Sequence, residues 1–226
     1  MNKTNEQPNQ ENTFLLRFYP EEWRHVTKFR LFSATTYKFS DSTRHALNGI
    51  EGHMQKYNTI LSIAYEYVPR LKKDSKELEK HGYTSAPNAK KLAALVETLY
   101  SELYASLDGI RQVLHAVFHN AQGLPSKKTS RLFSNASNGK IDNRVPKSIK
   151  NALSNAYDDW FLHLRRIRTN VTHFDIGHCW IGDNDAIMYV NLSAGSRTKA
   201  YVVDDVFNDL TEIFKNVNEL GVFHLL

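Results

Sequence analysis

The chain has 226 residues, of which 41% are hydrophobic and 23% charged, with 12 Phe, 11 Tyr and 3 Trp. That stock of apolar and aromatic side chains excludes a disordered chain and suffices for one domain with a real core. Net charge is +5, which fits a polyanion partner without requiring one, and the single cysteine, Cys179, excludes an intrachain disulfide and suits a reducing compartment.

Gly and Pro number only 10 and 6, which favours long helices over many short strands. The polar start, Met1 to Thr13, holds no apolar run of the kind a secretory signal needs. No stretch approaches the roughly 18 apolar residues of a membrane span. The expected setting is the cytoplasm, with no membrane partner.

Residues 1–12 read as a polar tail, and residues 13–226 as a single domain. Its first part, 13–43, is a variable segment. There Phe14-Leu15-Leu16 and Phe29-Arg30-Leu31-Phe32 suit short strands or helix pieces, and Pro20 before Glu21-Glu22 has the form of a helix start. After Ser40-Asp41-Ser42 a helix is predicted through Ile50, Met54, Tyr57, Ile60, Leu61, Ala64, Tyr65 and Val68, which keep 3.6-residue spacing. Pro69 interrupts it, and a charged helix follows from Leu71 to Gly82.

The clearest helix starts at Ser85-Ala86-Pro87-Asn88 and carries Leu92, Leu95, Val96, Leu99, Tyr100, Leu103, Leu107, Ile110, Leu114 and Phe118, until about Gly123-Leu124-Pro125. Residues 122–147 read as one long basic connection. Lys127, Lys128, Arg131, Lys140, Arg144 and Lys147 face a single acid there, Asp142. Such a segment is either a solvated loop or an arm that contacts polyanions, because unopposed cations attract phosphates.

A third long helix is predicted from Pro146, with Ile149, Leu153, Trp160, Leu164, Ile167, Val171 and Phe174 on its apolar stripe. Residues 178–203 then read as a β-hairpin elaboration. Cys179-Trp180-Ile181 and Ala186 to Val190 flank the turn Asp183-Asn184-Asp185, and Ser193-Ala194-Gly195-Ser196 leads to a third short strand at Ala200 to Val203. Asp204-Asp205 opens a last helix through Val206, Leu210, Ile213, Phe214, Val217 and Leu220, with Gly221 as its predicted end. The fold class is mainly α: an antiparallel helical bundle with a small β-hairpin before the last helix.

Chemistry concentrates in the stretch from Leu162 to Phe174. On an ideal helix Trp160, Leu164, Ile167, Val171 and Phe174 form the core side, and Arg166, Asn170 and His173 share a second side. Arg168 lies about 140° from His173 on that wheel. Imidazole passes protons near neutral pH, and guanidinium holds phosphate oxygens bidentately. Such a set suits RNA cleavage by the neighbouring 2′-hydroxyl. One group removes the hydroxyl proton, another protonates the leaving oxygen, and arginine stabilises the phosphorane.

The run Arg168-Thr169-Asn170-Val171-Thr172-His173 resembles the motif of the HEPN superfamily, an arginine followed after four to six residues by histidine. Arg166 satisfies the longer spacing. The resemblance covers roughly residues 45–220 and implies a HEPN-like helical bundle. It also implies a homodimer that joins two motifs in one cleft, and metal-independent endoribonuclease activity that needs no cofactor. The implied setting is a toxin–antitoxin or antiviral defence system, with RNA as substrate and an antitoxin or other defence partner. Arg168, His173, Arg166 and Asn170 would then be catalytic, with Thr169 supporting. Family members commonly carry Asn directly after the arginine, where this chain has Thr169. The alternative function is a non-catalytic helical module that binds RNA or a partner protein.

Other residues carry weaker signals. Asp108 and Arg111 on the middle helix either orient Arg168 or His173 across the bundle or form a local salt bridge. Lys127, Lys128, Arg131 and Arg165 are the candidate RNA-binding cations. His115 and His119 have the i,i+4 spacing of a metal pair, but no third ligand is evident, so no metal site is predicted. Asp183-Asn184-Asp185 reads as turn chemistry in place of a calcium loop.

Overall fold

The computed structural model describes residues 40–173, 177–190 and 200–223. The N-terminal readings at 1–39, Phe174 and the Ser193–Ser196 turn lie outside them. The described chain is mainly helical with a small antiparallel sheet.

Helix α1 spans Asp41–Tyr67, and its start is fixed by Ser40, whose Oγ accepts from the Thr43 N–H at 3.3 Å. Leu47, Ile50, Met54, Tyr57, Ile60 and Ala64 recur every three or four residues, and all are buried. Pro69 turns the chain through a short 3-10 segment, Val68–Arg70, into α2, Leu71–His81. Gly82 then stops α2 at φ 75°, the left-handed region that glycine enters without strain.

Helix α3, Pro87–Val117, is the axis of the molecule. The buried Asp74 of α2 caps its N-terminus: Oδ2 accepts from the N–H groups of Asn88 and Ala89 at 3.0 and 2.9 Å. α1 lies along α3 as its main partner. The two backbones approach closely at Gly109, where an added Cβ would sit 2.6 Å from Ile50 Cγ1 and 3.1 Å from the Ala46 carbonyl oxygen. Glu102 also ties them together, accepting from Lys56 Nζ at 2.5 Å and meeting His53 Nδ1 at 2.7 Å. α3 ends at Val117, six residues before the Gly123 stop read from the sequence, with Phe118 already out of helical backbone at φ −111° and ψ 43°.

Two predicted segments need correction. The long connection at 122–147 contains a helix, α4, Thr129–Ser137, which buries Leu132, Phe133 and Ala136. The third long helix is present without a break from Lys147 to His173, but it is not regular throughout. It runs as α5, Lys147–Ala156, then a π-helical turn, Tyr157–Phe161, then α6, Leu162–His173. The wide turn makes Phe161, not Trp160, the fully buried aromatic. Phe161 stacks on Phe133 at 3.9 Å between centroids, and Trp160 meets Phe133 edge-on at 6.0 Å.

Strands β1, His178–Ile181, β2, Ile187–Val190, and β3, Ala200–Val202, pair antiparallel in chain order. The β1–β2 turn has left-handed backbone at Asn184 and Asp185, φ 57° and 60°, as suits these turn residues. The register aligns Cys179, Tyr189 and Tyr201 in one cross-strand row. Cys179 and Tyr189 in that row are buried, whereas Trp180 is 40% exposed. The last helix, α7, Val203–Phe223, buries Val206, Phe207, Leu210, Ile213, Val217 and Leu220. It continues through Gly221, which adopts helical backbone and does not end it. Among the described residues no helix is long and apolar enough to cross a membrane.

Candidate functional site

Helix α6 is held by its buried side, where Leu164 is fully buried and Ile167 packs against the core. Its polar side lines an open cleft of about 520 Å³ with Leu162, His163, Arg165, Arg166, Thr169 and Asn170. Arg165 and Arg166 are exposed, while Thr169 and Asn170 are half-buried. Among the described residues no carboxylate lines this cleft, so the two guanidinium groups give it a positive field. His173 closes the helix; its side chain lies outside the described residues. Positions 163, 166, 170 and 173 fall within about 80° of one another on an α-helix, so its backbone continues the row that lines the cleft.

Arg168 is turned away from that cleft. Its guanidinium carbon stands 5.0 Å from the centre of the Tyr104 ring on α3, a cation–π contact. Burial holds the Tyr104 phenol above its ordinary pKa and Asp108 pushes the same way, against the pull of Arg168, Arg165 and Arg111. Tyr104 is therefore a neutral ring beneath a fixed cation. The structure brings Arg165, Arg166, Thr169 and Asn170 together and leaves Arg168 on the α3 side.

Asp108 and Arg111 do not make the local salt bridge that their spacing allows, because the Thr129 hydroxyl stands between them. That hydroxyl donates to Asp108 Oδ1 and accepts from Arg111 Nε at 3.2 Å. Arg111 Nη1 also donates to the carbonyls of Ser126 and Pro125. Arg111 and Thr129 are 5% and 2% exposed, so this is a buried clamp that holds 125–129 against α3. Among the described residues, the hydrogen bonds of Asp108 and Arg111 run to this segment, and none reaches Arg168. Thr129 went unnoticed in the sequence, where it is one hydroxyl in a polar run.

The clamp positions the basic segment. Lys127, Lys128 and Arg131 border a second cleft of about 500 Å³ together with His115, Ser126 and Asn135. The four candidate RNA-binding cations thus divide: three lie here, and Arg165 lies on α6. His115 Nδ1 is buried with no hydrogen-bond partner among the described residues, and His119 Nε2 meets Asn120 Nδ2 at 2.9 Å. Among the described residues no three His, Cys, Asp or Glu side chains gather as metal ligands.

A third, more enclosed cavity of about 260 Å³ lies among α3, α6, the sheet and α7. Tyr100, Tyr189 and Tyr201 line it, with Asp205 and Asp209 of α7. His163 belongs to both this cavity and the α6 cleft. Its Nε2 meets Asp209 Oδ2 at 3.0 Å, and the Tyr100 hydroxyl donates to the same oxygen at 3.5 Å. Burial, then the nearby Asp209 charge, keeps the Tyr100 phenol well above its ordinary pKa, so it remains a donor. Sequence reasoning missed His163, Tyr100 and Asp209. One signal was available: His163 stands three residues before Arg166, on the same helical side as Asn170.

No protein-family profile, curated protein or solved structure matches the chain. The chemistry rests on the geometry alone. A positive cleft with amide and hydroxyl donors binds phosphate, and a histidine at the end of its row adds a proton carrier.

Proposed function

We propose that the protein is a HEPN-like endoribonuclease that cleaves RNA without a metal, by attack of a 2′-hydroxyl on the adjacent phosphorus. The observation that carries this reading is the α6 cleft. Its described lining is cationic and comes from one helix. One wall makes half a site, so the reading includes a homodimer in which a second α6 supplies the facing wall.

The roles follow from chemistry. Arg166 and Arg165 hold the non-bridging phosphate oxygens and stabilise the phosphorane as charge develops. Asn170 and Thr169 add neutral hydrogen bonds that fix the phosphate. His173 accepts the 2′-hydroxyl proton, and a second imidazole, from the second copy, protonates the departing 5′-oxygen. The P–O5′ bond breaks as the P–O2′ bond forms, leaving a 2′,3′-cyclic phosphate and a 5′-hydroxyl. The resemblance places such an activity in a cytoplasmic toxin or antiviral defence system, with an antitoxin or other defence partner.

The test is cleavage of end-labelled RNA in the presence of a chelator. Wild type yields cyclic-phosphate ends, and His173→Ala slows cleavage by about 100-fold or more at unchanged thermal stability. A wild type that leaves RNA intact, or a His173→Ala chain as fast as wild type, sinks the reading. One observation favours the alternative, a non-catalytic RNA-binding module: the motif arginine, Arg168, is engaged on Tyr104. That alternative gives RNA binding without cleavage.

A further inference from the structure

We infer that the tyrosine-lined cavity among α3, α6, the sheet and α7 is a nucleobase site, and that it takes guanine. Its volume, about 260 Å³, lies below the roughly 300–1,000 Å³ of drug-sized pockets and suits one base with part of its ribose. The accessible aromatic surface comes from the half-buried Tyr201 of β3, paired with the buried Tyr189 of β2 and backed by the buried Tyr100 of α3. Unstacked bases are held by such aromatic platforms.

The identity of the base follows from the polar groups. Asp205 and Asp209 stand one turn apart on α7, and both line the cavity. The two bonds to Asp209 fall on Oδ2. Asp205 is exposed and takes no hydrogen bond from a described residue. The available carboxylate therefore accepts and does not donate. Guanine alone presents two adjacent donors, N1–H and the N2 amino group, which a carboxylate accepts as a parallel pair. Adenine and cytosine set one donor beside an acceptor, and uracil sets one donor between two acceptors. A carboxylate meets lone-pair repulsion from all three.

The cavity adjoins the phosphate cleft through His163, which lines both. A base seated among the tyrosines has its phosphate on the side of Arg166 and Asn170. The assignment of this base to the scissile nucleotide rests on the ribonuclease reading; occupancy of the cavity does not.

The test is calorimetric titration of the full chain with the 5′-monophosphates of guanosine, adenosine, cytidine and uridine. The guanosine nucleotide binds at least about tenfold tighter than the other three. Asp205→Asn removes that preference at unchanged melting temperature, because the residue is exposed, and Tyr201→Leu weakens all four. Equal binding of the four, binding of none, or an Asp205→Asn chain with undiminished preference overturns the inference. RNA cleavage without guanine bias or nucleotide binding refutes it and leaves the ribonuclease reading standing. Guanosine nucleotide binding by a chain that leaves RNA intact supports it while removing that reading.

Discussion

Glu97 shows how tightly single residues are set around the sheet. Its Oε1 accepts from the Gly177 N–H, and an added Cβ on Gly177 would sit 2.6 Å from Tyr189 Cε2 and 2.7 Å from Glu97 Oε1. No larger residue fits there without displacing both. Burial raises the Glu97 carboxyl pKa, against the lowering effect of the Gly177 bond and of His178. The same surroundings push the Cys179 thiol up to about 12, by burial first and the Glu97 charge second. A raised carboxyl pKa means that the folded chain holds its proton more firmly than the unfolded chain. Its favourable contribution is present below the unfolded carboxylate range and is lost as pH rises through the folded value. Glu97→Gln keeps an acceptor for Gly177 and carries no charge. Its melting temperature at pH 7 is predicted to exceed that of wild type, with the difference closing below about pH 4. Melting curves across that range check it; an equal deficit at every pH contradicts it.

At the scale of elements, legibility followed periodicity. α1 and α3 repeat apolar residues over enough turns to be read directly, the charged α2 is legible from Pro69 before it and Gly82 after it, and Ser40 and Pro87 mark the starts of α1 and α3. The third helix misled because a π turn inserts a residue. Buried positions run Ile149, Leu153, Ala156 and then Phe161 and Leu164, a five-residue step where the regular period selects Trp160. α4 was hidden because its nine residues carry only Leu132, Phe133 and Ala136 in a polar run. Its anchor was equally invisible, since a threonine bridging Asp108 and Arg111 across about 20 residues has no local pattern. Thr129→Val leaves both partners short of a buried hydrogen bond. It is predicted to lower stability by about 1–3 kcal/mol in chemical denaturation and to weaken RNA binding through Lys127, Lys128 and Arg131. A valine variant as stable as wild type contradicts the clamp.

For the molecule as a whole, the sequence singled out α6 as the candidate helix but not which of its arginines lines the cleft. Helical spacing separates Arg168 from His173, and the structure seats Arg168 on Tyr104 while Arg166 lines the cleft. The cavity beyond His163 was illegible, because it is assembled from α3, α6, β2, β3 and α7. Only the packed chain brings those side chains together. The central claim is that phosphate is held at the α6 cleft by Arg166. The most direct measurement compares the RNA-cleavage rates of wild type, Arg166→Ala and Arg168→Ala in chelator. The account predicts a loss of about 100-fold or more for Arg166→Ala and a loss under about tenfold for Arg168→Ala. An Arg166→Ala chain that cleaves like wild type, or RNA left intact by wild type itself, contradicts it.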